Sequence, residues 1–441
     1  MTIILFILIL SVLILVHEFG HFIVAKKNGI RVEEFGLGLP PKIFAKKVGE
    51  TEYSLNLLPF GGFVKLTGED TIEDEVQAKN DDQDTSVLVD GSIEIESEEE
   101  IVAVKDTSGN TVVVEEFQEI ITEIKTEPED LQETQGLKSL QNVIYDSKSF
   151  AVKKPWQRFS VLIAGVFMNS LLAIFLFYIF FLVNGFKTFQ LPLFFDYKFK
   201  FGEVEELGTV VTEVHKDSGA SNAGIELGEA ILEVDGVLVK NIKEVKAQLV
   251  GKPDQEVTLK LIDFKNQASP TTRVVNVKTS LDEEGNPILG VYLSKSVSIN
   301  YGKPIEKIFA GFLHAYNVIG YSFSSFAKIL GLSVETRDIA PVSQSVSGPV
   351  GIFNIINAIL KYGGSKVWLT IMDYIALMSL SLAAINVLPL PALDGGRLAF
   401  VLVEWVSGRK VNPKWESNIH RIGMFFLLCL IVLITIKDIV L

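Results

Sequence analysis

The chain has 441 residues, 48% of them hydrophobic and 21% charged, with a positive mean hydropathy and a formal net charge of −14. It is too apolar for a wholly soluble protein and too polar for a transporter lying entirely in the membrane, so a mixed architecture is expected. The acidity is local, because residues 69–136 hold 23 Asp/Glu and three Lys and leave 37 basic and 31 acidic residues elsewhere, while the single Cys429 excludes a disulfide framework and a thiolate metal site.

The first apolar run, Ile3–Ala25, is long enough to cross a bilayer and carries His17-Glu18-Phe19-Gly20-His21. At 100° per residue His21 lies about 40° around a helix from His17, with Glu18 beside them, so the three side chains face one small volume. Two imidazoles can hold a zinc ion, and the carboxylate can take a proton from water that the metal acidifies to a pKa of about 7. An ionisable group at the bilayer centre costs about 2.5–3.5 kcal/mol on insertion scales, so three of them need a shared partner. The run has no basic leader or small-residue cleavage site and is expected to persist in the mature protein.

Beyond this helix (1–27), Val32–Leu66 alternates Tyr53, Leu55 and Leu57 with polar neighbours and turns at Pro59-Phe60-Gly61-Gly62, which predicts a hairpin-like β region over 28–68. The acidic insertion (69–150) has two hairpin patterns, Ser86–Glu96 and Ile101–Glu116, and reads as a soluble spacer, with a regulatory contact as the alternative. A second span, Phe159–Val183, lies within 155–185. Gly208–Val214, Ala230–Val234 and Glu256–Ile262 are β-type runs around Ala223–Glu229, with a tight turn at Val234-Asp235-Gly236. They resemble a PDZ domain of extent 201–293, whose groove would bind extended chain ends by strand addition. No binding-loop residue is evident there, which favours a size filter over peptide capture.

Interfacial helices are expected over 303–362. Ile308–Ala327 is apolar enough to span, but an extra crossing would carry Asp394 to the opposite face from His17 and His21, so it reads as a helix with Ile305, Ile308, Phe309, Phe312 and Tyr316 on its apolar side and His314 at the interface. The third span, Val367–Leu388, belongs to a segment (366–396) that ends Asn386-Val387-Leu388-Pro389-Leu390-Pro391-Ala392-Leu393-Asp394-Gly395-Gly396. Prolines break the helix and paired glycines allow close backbone approach, so this chain must line a cavity or be buried. Asp394 alone could be a helix N-cap, but beside two histidines it is the strongest third ligand. A fourth span, Ile422–Ile436, extends towards Leu441 (421–441).

Lys26, Lys27 and Arg31, then Lys153, Lys154 and Arg158, then Arg397, Arg409 and Lys410, and finally Lys414 and Arg421 flank these spans. The positive-inside rule places 26–158 and 397–421 in the cytoplasm and exports 187–366, with both chain ends outside.

The paired motifs closely resemble the site-2 protease family of intramembrane zinc metalloproteases, particularly bacterial members with a PDZ domain, over nearly the whole chain outside the acidic insertion. The resemblance implies Zn2+ as cofactor, His17, His21 and Asp394 as its ligands and Glu18 as general base. Ala164-Gly165-Val166-Phe167-Met168-Asn169 is similar to the family's Ala-Gly-Pro-x-x-Asn, with Val166 in place of proline. Asn169 and Asn386 are then candidates for positioning substrate or steadying an oxyanion, with an interhelical hydrogen bond as the alternative for either. Ser347-Gly348-Pro349-Val350-Gly351 matches the family motif ahead of the last catalytic span and would turn the chain, whereas the family's Gly-x-Gly is altered at Gly36-Leu37-Gly38.

The expectation is a polytopic α-helical membrane protein of about four transmembrane helices, with a membrane-associated β-hairpin region and an inserted α/β PDZ domain. It would be an intramembrane zinc endopeptidase of the bacterial inner membrane, its active site towards the cytoplasm and its PDZ domain extracytoplasmic. Its partners would be the lipid bilayer and a single-pass membrane-protein substrate, such as an anti-sigma factor or a signal-peptide remnant, with no nucleic acid. The alternative is a non-catalytic PDZ scaffold, which needs no general base at Glu18; a zinc transporter would need more spans.

Overall fold

The structure, a computed structural model, describes residues 2–69, 103–105, 111–113, 147–189, 191–226, 228–263, 271–282, 284–362, 364–409 and 411–440. From the N-terminus, helix α1 (Thr2–Lys27) is followed by strands β1 (Val32–Val48) and β2 (Thr51–Leu66), the short pair β3 (Ala103–Lys105) and β4 (Thr111–Val113), and helix α2 (Pro155–Val183). A mixed region then runs through β5 (Leu191–Leu193), β6 (Glu203–Val214), α3 (Gly219–Asn222), β7 (Ala230–Val234), β8 (Val237–Leu238), α4 (Ile242–Leu249), β9 (Glu256–Asp263) and β10 (Thr271–Lys278). It closes with β11 (Ser280–Leu281), β12 (Pro287–Ile288) and β13 (Val291–Asn300). Helices complete the chain: α5 (Pro304–Ile308), α6 (Ala310–Thr336), α7 (Ala340–Ser345), α8 (Pro349–Tyr362), α9 (Val367–Asn386), α10 (Asp394–Ser407) and α11 (Pro413–Val440).

Among the described residues, four helical stretches are long and apolar enough to cross a membrane: Thr2–Lys27, Pro155–Val183, Gly364–Asn386 and Trp415–Val440. In α1 the only lysines stand in the last turn, where they also favour the negative end of the helix dipole. Prolines open α2 and α11, where a missing N–H costs nothing. The fourth helix is longer than its apolar run because Pro413–Arg421 joins it as a polar first two turns.

The chain divides into two compact units. One comprises residues 17–165 and 387–424. Its core joins Ala25, Val32, Leu66, Phe150, Val161, Leu162, Leu398 and Val401. Here β1 and β2 are long, bent strands: Val32–Leu37 pairs with Gly62–Leu66, Lys42–Val48 pairs with Thr51–Asn56, and Glu34–Leu37 also lies beside Glu52–Leu55. The tight reversal is therefore at Gly49-Glu50, with Gly49 at φ +63°, and the Pro59–Gly62 stretch expected as the turn is a second change of direction inside β2. Arg31 N–H donates to the Lys148 carbonyl and Phe150 N–H to the Thr67 carbonyl, so the insertion leaves and re-enters through a closed stem. Of its two expected hairpins, β3 and β4 pair within Ile101–Glu116, and Ser86–Glu96 lies outside the described residues.

The other unit comprises residues 1–16, 166–386 and 425–441. Its sheet has the order β10-β9-β7-β6-β13-β5, all antiparallel, with β8 on β7. Val257, Leu259 and Leu261 alternate inward along β9 and meet Val245 and Leu249, one turn apart on α4. The turn between β7 and β8 has Asp235 at φ +49° and Gly236 at φ +78°, as a two-residue hairpin of matching twist requires. Lys252 donates to the Asp235 carboxylate at 2.6 Å and, with the Thr258 N–H, holds its pKa below the usual value.

A second expectation is corrected. His314 is 5% exposed on α6, stacked edge-on to Phe177 and Phe181, and is a core residue rather than an interfacial one. Asn317 Nδ2 donates to the Tyr301 hydroxyl, which is left to donate to His314 Nδ1 at 3.1 Å. The same Asn317 accepts the Lys200 and Phe201 N–H groups, so this network fastens both ends of the sheet's boundary to α6. Ile305, Ile308, Phe309, Phe312 and Tyr316 are all exposed, as an apolar outer stripe.

Burial pushes the His314 imidazole down to about 3. The unfolded chain, with its histidine near 6.5, binds this proton more readily, so the contribution is complete above about pH 6.5 and falls away as pH drops towards 3. Thermal denaturation of detergent-solubilised protein between pH 7.5 and 5 should show it. His314→Asn should flatten the acid loss by up to about 1.4 kcal/mol per pH unit relative to wild type; parallel curves would refute the assignment.

Candidate metal centre

One turn apart on α1, His17 and His21 are both buried, with ring centroids 4.9 Å apart. Asp394, the first residue of α10, meets them. Its Oδ2 lies 2.8 Å from His17 Nε2 and 3.4 Å from His21 Nε2, and the two Nε2 atoms are 3.2 Å apart. Zinc–nitrogen bonds of 2.0–2.1 Å at tetrahedral angles separate donor atoms by about 3.3 Å. The three donors thus have nearly the spacing of three corners of a zinc tetrahedron, which leaves a fourth corner for water or substrate. Among the described residues they are the one cluster of three such groups with ligand atoms within 4.8 Å of one another.

Two features of α2 shape this cluster. The Val161 carbonyl accepts from His21 Nδ1 at 2.8 Å. A carbonyl cannot donate, so the ring proton is on Nδ1 and the Nε2 lone pair points at His17 and Asp394. One turn further, a Cβ on Gly165 would come within 2.5 Å of His17 Cε1 and of His21 Nε2. Only glycine lets α2 approach the imidazoles this closely. The sequence pattern contains Gly165 but gives no sign that its hydrogen faces the histidines, because the contact spans more than 140 residues.

Glu18 follows His17 on α1 and is half-buried. Phe19 and Phe22 continue the helix and pack on Phe35 and Tyr53 of the β region, with Phe22 and Phe35 centroids 5.1 Å apart. Leu393, not Asp394, occupies the N-cap position of α10 and makes no side-chain cap bond, so the Asp394 carboxylate is directed to the histidines instead. Arg397, three residues on, donates to Glu69 at the end of the β region at 2.5 Å.

Asn169 and Asn386 belong to the other unit. Asn169 is fully buried, and its backbone carbonyl accepts from Ser379 Oγ on α9 at 2.8 Å; Asn386 is the last residue of α9. The Ser347–Gly351 motif turns into α8, and Asp438 Oδ2 accepts the Gly348 and Gly351 N–H groups at 2.7 and 2.9 Å.

Gly165→Ala should displace both imidazoles. We expect metal content to fall and proteolysis to drop about 10²-fold, the usual cost of an ångström-scale misplacement, with helix content unchanged by circular dichroism. Full metal occupancy in this variant would show that the close approach is dispensable.

A family model described as peptidase family M50 matches residues 5–430. The zinc metalloprotease RasP of Shouchella clausii is 30% identical over 449 residues, which cover 99% of this chain and 98% of that protein. A Clostridium perfringens protein named "Putative zinc metalloprotease" is 30% identical over 445 residues, covering 100% and 99% of the two chains. Among solved structures, the PDZ domain of an SdrC-like protein from Listeria monocytogenes is 23% identical over 20% of this chain and 86% of that one, with a TM-score of 0.18. With a family match that runs almost end to end, the chain belongs to peptidase family M50, the site-2 proteases, and is a zinc-dependent intramembrane metalloprotease.

Proposed function

We propose that the protein hydrolyses a peptide bond within, or near the cytoplasmic end of, the transmembrane segment of a single-pass membrane protein, with His17, His21 and Asp394 as the zinc ligands and Glu18 as the general base. The convergence of two Nε2 atoms and one carboxylate oxygen on an apolar helix is the observation that carries this reading. Zinc held there would polarise the scissile carbonyl and make water acidic enough to attack at neutral pH. Glu18 takes a proton from the attacking water on a carboxylate oxygen and returns it to the amide nitrogen as the C–N bond breaks. The Val161 carbonyl keeps His21 in the tautomer that can ligate.

His17 stands nine residues before Lys26, about 13 Å along the helix from that basic boundary. A substrate helix must unwind to be cut there, since its peptide bonds are hydrogen-bonded and covered. The hairpin of β1 and β2 exposes Ile43, Phe44, Val48, Leu55, Leu57 and Leu58, an apolar surface able to receive an extended chain as an added strand. Anti-sigma factors and signal-peptide remnants are the substrate classes that the resemblance brings. The mixed unit around β6–β13 is read as a PDZ-type domain on the exported side of the bacterial inner membrane.

Glu18→Gln should retain zinc and lose about 10²–10⁴-fold in turnover of a model transmembrane substrate, whereas Asp394→Asn should lose zinc as well, because a neutral amide is a poorer ligand. Normal cleavage by the first variant removes Glu18 from the mechanism; full zinc in the second removes Asp394 from the ligand set. Sidedness is tested separately. In a Cys429→Ala background, an impermeant thiol reagent on intact cells should label Val237→Cys and should reach Gly49→Cys and Gly408→Cys only after permeabilisation. External labelling at Gly408 would mean that the proposed topology is wrong.

A further inference from the structure

The residues leading into Asp394 carry a conformation that their own sequence does not favour. Ala392 has φ +72°, a left-handed value that a residue with a Cβ avoids, and it stands two residues before the carboxylate. Helix α10 begins without a side-chain cap, and its first turn is held locally by the Gly396 N–H donating to the Leu393 carbonyl. A further contact comes from α11. His420 Nδ1 accepts the Ala392 N–H at 3.0 Å. The ring also lies edge-on to Phe400 of α10, 5.7 Å between centroids, and a Cβ on Gly396 would fall 3.0 Å from its Cε1 and 2.5 Å from the Leu390 carbonyl oxygen. Gly423, three residues on along α11, leaves space that Pro391 fills, since a Cβ there would lie 2.2 Å from the proline.

Because a backbone N–H can only donate, Nδ1 must be the acceptor, so a neutral ring carries its proton on Nε2. That Nε2 is buried and has no partner among the described residues. A ring kept for packing alone would not bring an unsatisfied donor; the Nδ1 acceptor is what this imidazole supplies. We propose that His420 is a positioning residue for the metal site: by holding the Ala392 peptide in its left-handed conformation it sets the direction of the Asp394 carboxylate. The inference rests on the reading of Asp394 as a zinc ligand.

The test uses full-length protein in detergent, loaded with zinc and then challenged with a chelator, and reads zinc retained per chain over time. Asparagine can place an acceptor where Nδ1 stands, and glutamine places it one bond further out. His420→Asn should therefore hold zinc near the wild-type rate of loss, while His420→Gln and His420→Phe should lose it about 10–100-fold faster, the range typical of residues that orient metal ligands. Glycine adopts φ +72° without strain, so adding Ala392→Gly to His420→Phe should restore part of the retention. Wild-type retention by His420→Gln overturns the proposal, and so does equal loss by the Asn and Gln variants. If His420→Phe does not fold, the Asn and Gln comparison decides alone. Asp394→Asn is run alongside: if it keeps zinc the ligand reading has failed, and if it loses zinc while His420→Gln keeps it, only the positioning role has failed.

Discussion

The unit built around the end of α1 depends on one constraint: polar side chains can stay in an apolar helix only if they satisfy one another. His17 and His21 sit on a helix with no other ionisable residue but Glu18 before its terminal lysines. Each local peculiarity nearby follows from this. Asp394 must arrive from a distant part of the chain, the Val161 carbonyl must hold the tautomer of His21, and Gly165 must lack a side chain so that α2 can come close enough to offer that carbonyl. The loop from Val387 to Leu393 abandons helical geometry for the same reason. A continuous helix would not turn the carboxylate back to the imidazoles.

The other unit solves a different problem, which is to join a mixed sheet to membrane helices without leaving polar groups exposed to apolar surroundings. Asn317 does this with one side chain, which accepts two backbone N–H groups and donates to Tyr301 and to the Phe201 carbonyl. Such a fully bonded cluster fixes geometry more sharply than apolar packing, which tolerates small slips.

Much of the candidate site could be read from the sequence because its signals are local. The two histidines share a helical face by spacing alone, and Pro389, Pro391 and the Gly395-Gly396 pair announce a broken helix ahead of a carboxylate. The four apolar helices are equally plain, since a strongly apolar stretch of this length with at most two charges means little else. What stayed illegible depends on contacts between distant residues. His314 looks interfacial because its neighbours in sequence are, yet Tyr301 and the phenylalanines of α2 enclose it. The reversal at Gly49-Glu50 competed with a stronger local turn signal at Pro59–Gly62. Gly165 and His420 matter through partners 28 to more than 140 residues away, which no spacing rule covers.

The last helix has a property that neither of its ends shows alone. Asp438 and Lys437 clamp its final turn to the Val346–Gly351 turn and to Ser343, and His420 holds its beginning to the Ala392 peptide. Eighteen residues separate Asp438 from His420, about 27 Å of helix, close to the roughly 30 Å of a typical hydrocarbon core. A helix anchored at one end relieves hydrophobic mismatch by tilting. This one is hydrogen-bonded near both ends, so tilting would strain one set of those bonds or the other.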